Sequence, residues 1–94
     1  MVDGLTFDSK REAARYGELK LLARAKVIDH LECQVSFPIV INGKRICEYR
    51  ADFVFVDKSS SSRCVEDVKG VRTPVYRLKK KLVEALYSVT IREV

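Results

Sequence analysis

The sequence predicts a mixed α+β (α/β) domain whose elements follow the order α-β-β-β-α-β. Two segments carry helix-start signals, at Ser9 and at Thr73-Pro74. Between them lie stretches rich in β-branched and aromatic residues, interrupted by Asn42-Gly43, a pair that favours a tight hairpin turn. Because 94 residues is the size of one small domain, we expect a single domain over 1–94, with a central mixed sheet flanked by helices.

The first helix is predicted within residues 5–26, LTFDSKREAARYGELKLLARAK. Ser9 is suited to cap it, and Glu12, three residues later, completes a capping box. Alanine and leucine are frequent in the rest of the segment, and several of them align on one side of a helix.

Three strands are predicted to follow the first helix. The first two form a hairpin around Asn42-Gly43, and their sequences are HLECQVSFPIVI and KRICEYRADFVFVD. The third strand follows the polar loop KSSSSR and has the sequence RCVEDVKGV. The second helix is TPVYRLKKKLVEALY, with Thr73 as its cap and Pro74 in its first position. Its apolar residues follow a 3.6 period, which predicts one apolar side. VTIREV alternates as a closing strand.

Composition limits the classes of function. The chain is 33% charged and has no apolar run of membrane-spanning length or signal segment, so we expect no membrane partner and a cytoplasmic location. Three widely spaced cysteines and one histidine argue against a zinc site or a disulfide framework. The net charge of +5, concentrated after residue 70, suits a polyanionic partner such as nucleic acid.

Charged side chains stand inside two of the predicted strands. Asp52 lies among aromatic and β-branched residues, where an isolated carboxylate is costly. In the third strand, Asp67 and Lys69 point to one face and Glu66 to the other, because side chains alternate along a strand. A register that sets Asp52 opposite Asp67 would bring two carboxylates together, and a divalent cation such as Mg²⁺ or Mn²⁺ would relieve their repulsion.

An aspartate followed across a hairpin by Asp-x-Lys resembles the PD-(D/E)xK nuclease superfamily, here as Ala51-Asp52 and Asp67-Val68-Lys69. Glu12 is similar to the first-helix acid of its Holliday-junction resolvases. Four segments together resemble the phage and prophage family DUF1064, which is regarded as resolvase-like or endonuclease-like. They are FDSKREAARYGEL, YRADFVFVD, VEDVKG and TPVYRLKKKL. The resemblance runs from about Leu5 to Val94, and it departs from the superfamily pattern at Ala51, where proline is expected.

The resemblance implies a restriction-endonuclease-like core and a set of site residues. Asp52, Asp67, Glu12 and the backbone carbonyl of Val68 would hold Mg²⁺ or Mn²⁺, without any small-molecule cofactor. Lys69 would orient the attacking water as a base, or stabilise the charge on the phosphate. The implied activity is hydrolysis of DNA phosphodiester bonds, with a 5′-phosphate product, in the cytoplasm of a bacterial host of a phage or prophage.

Other side chains are candidates with alternative roles. Gln34 faces the site or forms a structural hydrogen bond, and Glu66 is a ligand, is solvent-exposed or pairs with a basic neighbour. Glu12 is a metal ligand or only a capping acid. The candidates for DNA binding begin or line the second helix, where the alternative is a capped, solvated surface; they are Arg72, Thr73, Tyr76, Arg77 and Lys80.

Three functions remain open from the sequence. The first is an endonuclease for branched DNA such as Holliday junctions, and the second is a flap, single-strand or low-specificity nicking nuclease with the same site. The third is a DNA-binding module without turnover, which the presence of all four of the implied catalytic side chains disfavours. A two-fold junction suits two facing active sites, so we expect a homodimer.

Overall fold

The predicted class and order of elements are confirmed. The computed structural model describes residues 9–68 and 72–94. The elements are α1 (Lys10–Arg24), β1 (Ile28–Ile41), β2 (Lys44–Asp57), β3 (Ser62–Asp67), α2 (Pro74–Tyr87) and β4 (Ile91–Glu93). The sheet order is β1-β2-β3-β4. The first two pairings are antiparallel and β3 pairs with β4 in parallel, so the sheet is mixed.

Both helices begin where the sequence predicts. The Ser9 side chain accepts a hydrogen bond from the backbone N–H of Glu12 (3.1 Å), and Thr73 Oγ1 accepts one from Tyr76 (3.1 Å). These caps satisfy backbone donors that have no partner within a helix. Among the described residues, no helix has the length and apolar character needed to cross a membrane.

The domain covers only part of the predicted apolar side of α2, where Leu82 is half-buried against the core. Its buried residues are Tyr76 and Val83, which are seven positions and therefore about two turns apart. Val75 and Leu78 are 63% and 60% exposed. The ring of Tyr76 lies 6.2 Å from that of Tyr49 on β2, and this contact turns the tyrosine side of the helix toward the sheet.

The hairpin of β1 and β2 closes at the predicted turn. Asn42 and Gly43 have φ values of 51° and 76°. Two consecutive residues with positive φ define a turn whose twist matches that of the flanking strands. The hairpin is long because each of its strands has 14 residues, and it extends beyond the end of the shorter β3.

Apolar side chains form two clusters, one with each helix. The α1 cluster is built on Tyr16, Leu19, Ile28, Phe53 and Phe55. The α2 cluster contains residues of the hairpin, β3, α2 and β4, which are Phe37, Ile39, Tyr49, Ala51, Val54, Val65, Tyr76, Val83 and Ile91. Adjacent strand residues divide between the two clusters, as expected for a sheet with a helix on each face.

The hairpin exchanges faces at one position. Ala51 and Phe53 are two residues apart on β2, yet Ala51 belongs to the α2 cluster and Phe53 to the α1 cluster. Their β1 partners, Val35 and Cys33, divide in the same way. Gln34 lies between those partners with a φ of 55°, in the left-handed region. Strand alternation therefore breaks at the level of Gln34 and Asp52.

Two glycines make a matched pair for testing the backbone. A Cβ added at either Gly17 or Gly43 would meet no atom within 4 Å. Because Gly17 is helical, we expect Gly17→Ala to raise the free energy of unfolding by about 0.5–1 kcal/mol. Gly43 has positive φ, so Gly43→Ala should lower it by about 1 kcal/mol. Urea denaturation of both variants measures this, and a stabilising Gly43→Ala would contradict the turn geometry.

Candidate functional site

Glu12 and Gln34 meet between the first turn of α1 and the face exchange in β1. Glu12 is only 6% exposed, and its Oε2 accepts a hydrogen bond from Gln34 Nε2 at 2.8 Å. The first turn of a helix favours a negative charge because its backbone N–H groups point toward that end. Gln34 thus forms a hydrogen bond, and its partner is a predicted site residue. The two alternatives for Gln34, a structural hydrogen bond and a position facing the site, therefore do not exclude each other.

Asp52 connects β2 to the end of β3. Its Oδ2 accepts a hydrogen bond from the backbone N–H of Val68 at 2.8 Å. The last backbone pair between these strands is Phe53–Glu66, and the same register continued by one position would set Asp52 opposite Asp67. The expected register is therefore present, but the backbone ladder ends just before the two acids. At that point the Asp52 carboxylate, in place of a backbone carbonyl, accepts the hydrogen bond of the Val68 amide.

The thiol of Cys33 lies within the electrostatic influence of both Glu12 and Asp52. Burial raises the pKa of the Cys33 thiol, and the negative charges of Glu12 and Asp52 raise it further. Two acids that are remote in sequence therefore act on one thiol. We call Glu12, Gln34 and Asp52, together with the Val68 amide, the acidic cluster.

Asp67 is fully buried at the end of β3. Its backbone carbonyl accepts a hydrogen bond from the N–H of Val94 at 2.9 Å, and its parallel partner is Glu93. The pKa of Tyr76 is raised by burial first, then by its hydrogen bond to Glu93, and also by the charge of Asp67. Asp67 therefore lies near the α2 side, while Lys69 lies outside the described residues.

The residues of the acidic cluster suit one type of metal site. Within residues 9–68 and 72–94, no three Asp, Glu, His or Cys side chains are grouped so that they could hold a metal ion. Mg²⁺, however, is commonly held by one or two carboxylates and completes its coordination with waters and substrate phosphates. Glu12 and Asp52 supply two carboxylates, and both are hard oxygen donors of the kind that Mg²⁺ and Mn²⁺ prefer.

Glu66 pairs with a basic neighbour, which is one of its predicted alternatives. Arg15 Nε and Nη2 donate to its two carboxylate oxygens at 2.8 and 2.7 Å. The Glu66 side chain is 1% exposed, and its hydrogen bonds are the largest cause of the raised pKa of Arg15. The sequence reasoning did not single out Arg15. The signal that could have identified Arg15 was Glu66 itself, because an acid in a strand that faces α1 needs a positively charged partner on that helix.

Three of the predicted DNA-binding residues converge on Glu93, which the sequence reasoning also did not single out. Arg72 Nε and the Tyr76 hydroxyl donate to its carboxylate, each at 2.9 Å, and Lys80 Nζ lies 3.8 Å from it. The pKa of Glu93 is lowered first by the Tyr76 hydrogen bond and then by Arg72 and Lys80. Tyr76 is buried, and Thr73 caps α2. Of this set, Arg77 is exposed and forms no ion pair with the described residues.

The fold and site together define a class: a small α/β domain in which a carboxylate, Asp52, binds a backbone amide where two central strands stop pairing. The chain matches the family model described as "Protein of unknown function (DUF1064)" over residues 1–93, and it belongs to that family. No curated protein and no solved structure matches the chain.

The two acids bound to Arg15 allow a controlled test of the buried ion pair. Glu66→Gln should lower the free energy of unfolding by about 3 kcal/mol, because it leaves a partly buried guanidinium without its main counter-charge. Glu18→Gln removes the other partner of Arg15, whose side chain is 63% exposed, and should cost less than about 0.5 kcal/mol. Chemical denaturation measures both values, and equal losses would contradict the structural role of Glu66.

Proposed function

We propose that this chain is a metal-dependent endonuclease of the PD-(D/E)xK type, with a restriction-endonuclease-like core, that hydrolyses phosphodiester bonds in branched DNA such as Holliday junctions. The observation that carries the proposal is the acidic cluster. Gln34 donates a hydrogen bond to Glu12 and lies between the pairs Cys33–Phe53 and Val35–Ala51, at the level of Asp52. Asp52 in turn accepts a hydrogen bond from the amide of Val68, at the end of the strand that leads into Asp67-Val68-Lys69. The order of these residues along the chain is that of the pattern that the sequence resembles, which supports the proposal.

The strained backbone of Gln34, a residue of the acidic cluster, supports the proposed site. Gln34 has a φ of 55°, which costs a residue with a Cβ roughly 1–2 kcal/mol. Strain of this kind is concentrated at sites where a side chain must be held in a particular position. The conformation of Gln34 accompanies the face exchange, and its side chain holds Glu12 at 2.8 Å. The strained residue therefore orients one of the two proposed ligands.

The proposed site assigns distinct tasks to the chain's own residues. Glu12 and Asp52 would hold the metal ion, with Asp67 and the Val68 carbonyl as the further ligands that the resemblance implies. When held there, Mg²⁺ or Mn²⁺ would supply Lewis-acid polarisation of the scissile phosphate and a more acidic water. Gln34 orients Glu12, and Asp52 anchors the amide of Val68, the residue before Lys69. Lys69 keeps its two alternatives, base or stabiliser of the phosphate charge.

The remaining parts of the proposal concern substrate and setting. The positive charge of the chain supports a polyanionic substrate. Two copies related by a two-fold axis would place one site on each half of a junction, so a homodimer is part of the proposal. The setting is the replication or recombination of a phage or prophage in the bacterial cytoplasm.

The proposal is tested by cleavage of labelled four-way junction, flap, single strand and linear duplex with Mg²⁺, Mn²⁺ or EDTA. We expect paired symmetric cuts in the junction that disappear with EDTA and in Asp67→Ala. Asp52→Asn should lower the rate about 100-fold or more, because it removes a charge that stabilises the reacting centre. Asp57→Asn is the matched control at the far end of the same strand and should retain activity.

The outcomes separate the candidate functions. Cuts spread over flaps or single strands would favour the low-specificity nuclease with the same site. Junction binding without metal-dependent cleavage of any substrate would contradict the enzyme and leave a DNA-binding module. Lys69→Ala should abolish cleavage and leave DNA binding nearly intact, and full activity of that variant would remove Lys69 from the proposed site.

A further inference from the structure

A cavity of about 310 Å³ lies between α1 and the ends of β3 and β4. It is distinct from the acidic cluster but adjoins it at Val68, whose N–H bonds to Asp52. Residues from the helix and from the sheet both contribute to its wall, and those that matter to its chemistry are Arg11, Arg15, Glu18, Val68, Arg92 and Val94. We call it the arginine cavity.

Helix geometry sets the arginine cavity directly beside Glu12. Arg11, Arg15 and Glu18 are spaced by four and three residues, so they lie along one side of α1. The buried stripe of Glu12, Tyr16 and Leu19 is the same pattern moved by one residue. The helix thus presents carboxylate to the acidic cluster and guanidinium groups to the neighbouring cavity.

The cations of the arginine cavity are not all neutralised. Arg15 is engaged by Glu66 and Glu18. Arg11 Nη2 donates to the backbone oxygen of Val94 at 3.1 Å. Within the part of the chain that the structure describes, neither Arg11 nor Arg92 forms an ion pair with a side-chain carboxylate. Arg92 is therefore available to an anion that enters the cavity, and Arg11 has further N–H donors beyond the one that binds Val94.

We propose that the arginine cavity binds a phosphate group of the nucleic-acid strand that enters the acidic cluster, with Arg11 and Arg92 as its ligands. The inference rests on the proposed function, because it supplies the substrate contact next to the reacting centre. Guanidinium is planar and matches phosphate oxygens through paired N–H donors. Two of the basic residues that were predicted for this task, Arg72 before α2 and Lys80 within it, already face Glu93.

The arginine cavity is tested by DNA binding in EDTA, so that cleavage does not interfere. The probes are a labelled four-way junction and a short duplex, each with and without 5′-phosphates. Arg11→Gln/Arg92→Gln should weaken binding about tenfold and reduce the slope of log affinity against log salt by about 1 or more. The matched control Arg24→Gln/Lys58→Gln also removes two exposed positive charges, but at the other end of α1 and in the β2–β3 turn. It should weaken binding less than about threefold.

The two sources of phosphate give different results. A loss confined to 5′-phosphorylated probes identifies a terminal phosphate as the ligand, and an equal loss on all probes identifies a backbone phosphate. Arg11→Lys/Arg92→Lys keeps the charge without the planar donors and should bind between the wild type and the glutamine variant. If thermal melting shows that the glutamine variant does not fold, the lysine variant still tests whether the two guanidinium groups bind phosphate.

The failure of this inference is distinguishable from failure of the proposed function. If the wild type binds and cleaves DNA while the arginine variants behave as the control pair does, the arginine cavity is not a phosphate site and the nuclease proposal stands. If the wild type neither binds nor cleaves any of the probes, both are overturned.

Discussion

The hydrogen bond from the Val68 amide to Asp52 fixes the point on which the rest of the site depends. It forms one position beyond the last backbone pair of β2 and β3, so a carboxylate continues the connection after the ladder ends. At the same level the hairpin exchanges faces through the positive φ of Gln34. These two constraints place the polar side chains of Gln34 and Asp52 between the two apolar clusters.

The adjacent acids of β3 serve opposite sides of the sheet. Glu66 faces α1 and accepts hydrogen bonds from Nε and Nη2 of Arg15, so it fixes the position of the helix relative to the strand. A buried ion pair of this kind contributes little net stability compared with an apolar pair, but it is costly to break, and it therefore specifies one arrangement. That arrangement sets Glu12, one turn earlier on α1, against Gln34. Asp67 faces the α2 side, so the two adjacent acids lie on opposite faces of the sheet.

Local signals allowed much of the fold to be predicted. The caps at Ser9 and Thr73 and the turn at Asn42-Gly43 depend only on neighbouring residues, and all three are present in the structure. The side of α2 that packs could not be predicted from its periodicity, because the ring contact of Tyr76 with Tyr49 depends on a distant strand. The exchange of faces at Gln34 could not be predicted either, since nothing in its local sequence requires a positive φ.

The same limit applied to the partners of charged residues. Strand alternation placed Asp67 and Glu66 on opposite faces, but it could not identify Arg15, because that pairing spans 51 residues and depends on how α1 crosses the sheet. The basic start of α2 suggested a DNA contact, yet Glu93 from the short β4 accepts bonds from Arg72 and Tyr76. A run of charge in a sequence gives the net field of a segment and does not reveal which cations the fold neutralises.

We propose that Glu12 and Asp52 form a divalent metal site at the end of the β2–β3 ladder. The most direct measurement is a Mn²⁺ titration of the ¹⁵N-labelled protein, followed by paramagnetic broadening of its amide resonances. We expect broadening centred on the amides of Glu12, Gln34, Asp52 and Val68, and Asp52→Asn should greatly weaken it. Broadening centred elsewhere, or the same broadening in Asp52→Asn, would contradict it.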